Sequence, residues 1–520
     1  MARAMVKAAA GFAVLAAGLS GCVGGSGEGA SADEPVRGGG TLRIVGSSDV
    51  EHLDPASVAS VGAYGLVRTF ARTLFGTRAA GEFSETLPVR PDVAARIPTR
   101  ENGDVSDDRE TYTVRLREGV LWNTEPPRPV TADDFVRGFE RLCNPAAPSI
   151  GRGYYVSTLA GMQAFCDGFL KVDPRDPAAI AAYQRAHRIE GVRAEDDRTI
   201  VFELREPASD FLHLLALPFT AAAPQEYDRY VPDGPEFRQH TISNGPYQIT
   251  EYRPGISYVL TRNPAWRARH DPLRERHAAR IRVTLGQDSP EAVQQQIEQG
   301  TADLAWDQPV PTPAIPRLRD DPRFAIEQTP NSNPYLVFNL LSPNNGGALA
   351  KRDVRRALQY AIDRAALVKL VGGPAVADPL HTVIPPGNSG YAAANHYPTP
   401  DDSGDPATCR ALLARAGHPS LTLKFPYRTN SLHKLFAESM AENLASCGVR
   451  TELVPDTGGS FYGGTITTPR GPARGSGTSR RPAGRPTGTA TTGARSSSRC
   501  STAAPTATAR RTTAATTTRA

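Results

Sequence analysis

The sequence predicts an α/β protein with mixed sheets, and two observations carry that prediction. Segments of period-two alternation, such as "ETYTVRLREGVLW" (110–122) and "DRTIVFELREP" (197–207), interleave with segments of helical period, such as "KRDVRRALQYAIDRAALVKLV" (351–371). That interleaving continues between turn residues from about position 40 to about position 455, and 520 residues are enough for two or more domains.

Each element follows from its own pattern. "GGTLRIVGSSD" (39–49) reads as a strand and a turn, and "YGLVRTFARTLF" (64–75) has helical periodicity. The strand 110–122 ends in a tight turn at Glu118-Gly119. "PVTADDFVRGFERLC" (129–143) is a helix start: Thr131 is the N-cap, Asp134 lies three residues on, and Phe135, Phe139 and Leu142 share a face. The strand 197–207 leads into an apolar helix, "SDFLHLLALP". "YQITEY" and "SYVLTR", separated by Arg-Pro-Gly-Ile, form a hairpin. "RIRVTLGQ" (280–287), the capped helix "SPEAVQQQIEQG" (289–300) and "TADLAW" (301–306) make a strand–helix–strand run. "NPYLVFNL" (333–340) is a strand, and 351–371 an amphipathic helix burying Val354, Leu358, Ala361 and Ile362. "SLTLKFPY" (420–427), "HKLFAESMAENLASCG" (433–448) and "VRTELVP" (449–455) form a second strand–helix–strand run.

Both ends differ from this body. Arg3 and Lys7 precede a short apolar run, Ala8 to Leu19, and then "LSGC". This is a secretory signal, too short for an ordinary membrane-spanning helix. "LSGC" resembles the bacterial lipobox, which implies cleavage before Cys22 and lipidation of Cys22, so that residues 1–22 are the signal peptide and 23–40 a tether. No second apolar run is long enough to span a bilayer, so the body is expected outside the cytoplasm, on the outer face of the cell membrane. That compartment permits disulfides: Cys143 and Cys166 are the first candidate pair and Cys409 and Cys447 the second, with free buried thiols as the alternative.

At the other end, residues 470–520 contain ten Arg and no Leu, Ile, Val, Phe, Tyr, Trp, Asp or Glu. With so little apolar surface, this tail is expected to be disordered and to make no persistent contact with the body. Of 59 Lys and Arg those ten fall in the tail, leaving 49 basic against 54 acidic residues elsewhere, which argues against a nucleic-acid-binding body.

Four stretches, "VTADDFVRGFERL" after "LREGVLW", "SNGPY", "RNPAW", and "VRRALQYAIDRAALV" followed by "IPPGNSGY" (384–391), resemble family 5 of the bacterial extracellular solute-binding proteins, the oligopeptide, dipeptide and nickel receptors of ABC importers. The resemblance covers roughly residues 40–465. It implies a two-lobed periplasmic-binding-protein-like fold with an extra domain on the first lobe. On that pattern 41–329 is the first lobe with the extra domain at roughly 89–190, and 330–469 is the second lobe, incomplete. Ligand is enclosed as the lobes close, and a peptide is held through its backbone. Ser47, Ser48, Asp49, Asn244 and Tyr247, with Asn331, Tyr335 and Asn339 on the strand that crosses between lobes, are the candidate ligand contacts. "NGPY" also reads as a plain turn in which Asn244-Gly245 takes positive φ and Pro246 fixes the next strand.

The family's second lobe carries a segment close to G-W-x-P-D-W-x-x-N-G, absent here. "AGRPTGTA" (483–490), shifted in reading frame, permits W-T-P-D-W-Y-G, and "TTGAR" after it permits D-N-G-R. The tail therefore reads as an out-of-frame translation beginning near Pro469, with a genuine basic tail as the alternative. The implied function is a lipid-anchored receptor delivering oligopeptides to ABC permease subunits, monomeric, with no cofactor or metal and no nucleic-acid partner. Nickel, haem, opines or sugars are alternative solutes, and a non-functional product of a damaged gene is an alternative reading. A lipid-anchored hydrolase is disfavoured because G-x-S-x-G, H-E-x-x-H, Cys-x-x-Cys and Walker spacings are absent and the ten His are scattered.

Overall fold

The computed structural model describes residues 38–80, 83–319, 321, 335–388, 390–429, 431–456, 461, 465 and 488–493. Cys22 and Asn331 lie outside them. The first body is built on a five-stranded mixed sheet ordered β10 (Leu304–Ala305), β1 (Thr41–Val45), β9 (Arg280–Thr284), β8 (Ser257–Arg262) and β7 (Tyr247–Arg253). β1 runs parallel to both neighbours, and the hairpin β7–β8 is antiparallel. Its inner face, with Tyr258, Leu260, Ile281 and Val283, joins one large core.

That core continues under a three-stranded antiparallel sheet of β4 (Thr111–Arg115), β6 (Thr199–Glu203) and β5 (Val192–Asp196), where Trp122, Phe135, Phe139 and Phe202 are buried. The sequence did not announce β5, whose exposed pattern gives no alternation signal. A short ribbon, β2 (Phe75–Gly76) with β3 (Arg90–Pro91), lies alongside.

Two of the recognisable stretches turn out to be one knot. The helical periodicity of 64–75 stops at Phe70, and the helix is Val61–Phe70. Its Phe70 carbonyl accepts from Asn244 N, Gly245 N and Ser243 Oγ, so "SNGPY" ends the helix by occupying an acceptor that a further turn would need. Asn263 of "RNPAW" then donates from Nδ2 to the Gly245 carbonyl at 2.9 Å. Neither Asn244 nor Gly245 has positive φ, contrary to expectation. Glycine is needed at 245 for close approach, since a Cβ there would lie 2.7 Å from the Thr69 carbonyl oxygen.

A second knot joins "LREGVLW" to "VTADDF". Asp134 accepts from Thr131 N at 3.0 Å, Trp122 Nε1 at 2.8 Å and the Arg128 guanidinium at 2.9 and 3.0 Å. The expected first-turn acid is therefore also the buried centre of a loop–helix junction.

The second body has a sheet ordered β11 (Tyr335–Phe338), β14 (Gly488–Gly493), β12 (Leu421–Arg428) and β13 (Val449–Asp456). Its core packs Leu421, Leu423 and Phe425 against the helices Arg352–Ala361, Pro406–Arg415 and Ser431–Ser446. The single helix expected over 351–371 is two: Ile362 is extended, and Asp363 caps a new helix, Arg364–Leu370, by accepting from Ala366 N at 2.7 Å. At Gly488–Gly493 the structure departs from a tail without contacts, because β14 pairs with both β11 and β12. A ladder recruits backbone groups, which a Gly/Thr/Ala segment has as fully as any other. Cys143 is joined to Cys166 and Cys409 to Cys447, with Cα separations of 5.1 and 5.8 Å. Among the described residues no helix is long and apolar enough to cross a membrane.

Candidate functional site

In open sheets with parallel strands, ligands sit beyond the carboxyl ends of the strands. Here that place is the loop after β1, facing the residues after β10. Asp307 accepts from Ser47 N at 2.9 Å, from Ser47 Oγ at 2.6 Å and from Ser48 N at 3.4 Å. Trp306, half-buried, lays its ring over Gly46, where a Cβ would fall 2.0 Å from the indole nitrogen, and reaches Gly62 in the first turn of the 61–70 helix. Glycine at 46 is therefore a condition for the ring's position.

The same loop is fixed from below. Asp49 accepts from Tyr252 Oη at 2.8 Å, from Gly255 N at 2.9 Å and from Tyr258 Oη. Glu51 accepts from Ala59 N and Ser60 N, both at 2.6 Å, ahead of the helix that Ser60 caps. Asp233 accepts from Leu53 N at 2.7 Å and pairs with His52 Nδ1 at 2.7 Å. Burial opposes charge on the His52 ring, but the hydrogen bond and charge of Asp233, with Glu51 and Asp54, outweigh it and raise its pKa above the ordinary value. The loop is thus held from three sides before any ligand arrives, which lowers the ordering cost of binding.

The sequence-derived candidates divide. Ser47 and Ser48 meet at the Asp307 clasp. Asp49 lies beside them, with its oxygens turned to Tyr252 and Tyr258. Asn244 is buried, its Oδ1 accepting from Arg72 N at 2.9 Å, and Tyr247 is buried with its hydroxyl on the Ala278 carbonyl at 3.0 Å. Asn244 serves the knot at the end of the 61–70 helix, and Tyr247 ties β7 to the segment before β9. Tyr335 and Asn339 are exposed on the second body, and Asn339 Oδ1 accepts from Leu341 N at 3.1 Å. Among the described residues no hydrogen bond joins either of them to the 46–49 loop. Sequence reasoning missed Trp306 and Asp307; the signal available was an aromatic–acid pair directly after an apolar strand. Among the described residues no group of three His, Cys, Asp or Glu is arranged to hold a metal ion.

Residues 89–465 match the bacterial extracellular solute-binding proteins, family 5. Di/tripeptide-binding protein 4 of Pseudomonas aeruginosa is 27% identical over 79% of this chain and 73% of its own. The probable deoxycholate-binding periplasmic protein YgiS of Escherichia coli is 27% identical over 79% of this chain and 70% of its own. Among solved structures, clavulanic acid biosynthesis oligopeptide binding protein 2 superposes with a TM-score of 0.63 at 27% identity, covering 82% of this chain and 73% of that one.

Proposed function

The chain belongs to the bacterial extracellular solute-binding proteins of family 5, and from that premise we propose that it is a receptor for short peptides that hands them to the permease subunits of an ABC importer. Its family and relatives are solute-binding proteins rather than enzymes. The observation that carries the peptide reading is the loop after β1: Asp307 keeps acceptor capacity on Oδ1 beside a half-buried indole, a pairing suited to an amine next to an apolar group. Ser47, Ser48, Asp307 and Trp306 form the first-lobe wall, and Tyr335, Asn339 and Asn331 the crossing segment. Calorimetry with a di- to pentapeptide pool tests this, with deoxycholate as the contrasting solute. Trp306→Ala should weaken peptide binding about 30-fold, the scale of a buried aromatic anchor, beyond any loss of thermal stability from unpacking the ring over Gly46 and Gly62. Unchanged affinity removes Trp306 from the site, and binding of deoxycholate alone removes the peptide reading.

We place the receptor on the outer face of the cell membrane through a lipid on Cys22, as a monomer. Cys22→Ala should move the protein from the membrane fraction to the medium, and a mature N-terminus elsewhere by mass spectrometry excludes the anchor.

A second reading has its own support. On the second-body sheet Leu336 and Phe338 pack into the core, but the alternate residues Tyr335 and Val337 are 38% and 46% exposed, and Leu341 is 93% exposed. Such bare apolar positions fit a lobe whose remaining cover is absent from this reading frame, so that the chain as translated is an incomplete receptor.

A further inference from the structure

Residues 46–60, between β1 and the 61–70 helix, form neither helix nor strand, so their backbone polar groups need other partners. Two side chains of the short segment 231–239 serve several of them. Asp233 Oδ1 accepts from Leu53 N at 2.7 Å and from Asp54 N at 3.1 Å. Arg238 donates from Nη2 to the Val50 carbonyl at 2.7 Å and from Nη1 to the Glu51 carbonyl at 3.2 Å. The two side chains also face each other, with Arg238 Nη1 standing 3.9 Å from Asp233 Oδ2. Arg238 comes within 3.6 Å of Asp49, next in the chain to Ser48, and its guanidinium lies 5.3 Å from the Tyr252 ring centroid. Asp233 takes this place with a φ of 55°, in the left-handed region that few side chains tolerate. A residue persists there where its contacts over-determine it.

The other oxygen of Asp233 takes His52 Nδ1 at 2.7 Å, and 19% of the His52 side chain is exposed. Acids face the ring from its own stretch, Glu51 and Asp54, as well as from Asp233 opposite. The nearby cations are engaged with those same acids: Arg238 with Asp233, and Arg141 with Asp54. A proton on His52 adds an attraction inside this clamp. Its loss leaves the Nδ1 hydrogen bond and removes the attraction. The acids favour the charged ring more in the ordered loop than in a loop swung into water. The contribution is therefore full below the ordinary histidine pKa and is lost as pH rises through the raised one. Where it is lost, part of the cost of ordering the loop falls on the ligand.

We propose that Asp233 and Arg238 are positioning residues for the loop after β1, and that a proton on His52 tightens their hold, so that the receptor binds its solute more strongly on the acid side of neutrality. This rests on the reading of that loop as the ligand wall, and the first measurement needs no ligand. Hydrogen exchange of the ligand-free full chain is followed at about pH 6 and about pH 8.5, either side of the ordinary histidine pKa. With rates corrected for their intrinsic pH dependence, the Leu53 and Asp54 amides should open about fivefold more readily at the higher pH, the scale of a single ion pair. His52→Asn keeps a neutral donor toward Asp233 and should open equally at both. Asp233→Asn keeps an acceptor for the two amides and should flatten the response as well. A cooperative melt verifies that each variant folds. Calorimetry with the di- to pentapeptide pool then follows the ratio of wild-type to His52→Asn affinity, in which titration of the peptide's own amine cancels. That ratio should fall as pH rises, by no more than the factor seen in exchange. A wild-type opening that ignores pH, or one that changes equally in His52→Asn, overturns the clamp. A constant affinity ratio overturns its link to the ligand. Failure of every peptide to bind removes the peptide reading, while the exchange rates still decide the clamp.

Discussion

A chain in which the frame is restored from near Pro469 should bind a tri- to pentapeptide pool at least about 100-fold more tightly than the chain as it stands. The shifted reading of 483–490 permits two Trp in W-T-P-D-W, and anchoring aromatics commonly contribute about 2 kcal/mol or more each. Tyr335, Val337 and Leu341 are exposed on the second body, and a restored segment is expected to cover them. An incompletely packed lobe spends less time in the closed, binding-competent form, and apparent affinity falls by that fraction. β14 keeps the ladder between β11 and β12 continuous with backbone alone, which supplies no aromatic surface to a ligand. Calorimetry on both chains decides the matter. Equal binding at micromolar affinity or better by the two would show that residues 470–520 are no defect.

Asp92→Ala should destabilise the first body by about 3–5 kcal/mol, the cost of stranding buried charge. Asp92 is fully buried and accepts from Arg72 Nε at 2.8 Å and from Arg274 Nη2 at 2.7 Å. Arg72 also donates to the His270 carbonyl at 2.8 Å, and Arg274 to Asp271, so two cations lose their shared anion together. Burial pushes the Asp92 pKa up, but the charges of Arg274 and Arg72 outweigh it and hold the carboxyl below the ordinary value. A depressed folded-state pKa means the contribution is full above the unfolded carboxylate pKa and is lost as pH falls through the folded one. Urea unfolding at neutral pH should therefore show the whole loss, and the acid side of the stability curve should flatten in the variant. A midpoint shift worth less than about 1 kcal/mol would show that the buried network is not a net support.

How much of the fold was legible follows from which residues carry local signals. The hairpin β7–β8 and the capped helix Pro290–Glu298 lie where alternation, the Pro-Gly turn and Ser289 place them. The misses occur where a distant partner overrides a local pattern. Phe70 ends a helix whose periodicity continues, because three donors from 243–245 take its carbonyl. Asp363 breaks 351–371 by capping a new helix, while Asn443 Oδ1 accepts from its backbone nitrogen at 3.0 Å. β5 carries no pattern of its own and exists because β6 offers it an edge.

The candidate site was half legible. Ser47 and Ser48 were found by their position after a strand, but their partner Asp307 is 260 residues away along the chain, and no local rule links the two. Asn244 and Tyr247 attracted interest as polar and aromatic residues in a recognisable turn, yet that turn is spent on structure.

By itself the sequence determined the α/β class and the alternation of its elements. It also determined the family, because two recognisable runs, 110–143 and 243–266, meet in knots whose side chains have few substitutes: Asp134 under Trp122 and Arg128, Asn263 against Gly245. Only the tertiary structure decided where helices stop, which polar residues are buried, and that Trp306 and Asp307 close over the loop after β1. The physical reason is range. Periodicity and capping act over a few residues and are written locally, whereas a carbonyl's last acceptor site, a Cβ-free surface for an indole, or the burial of a carboxylate between two arginines exists only once distant segments have been brought into contact.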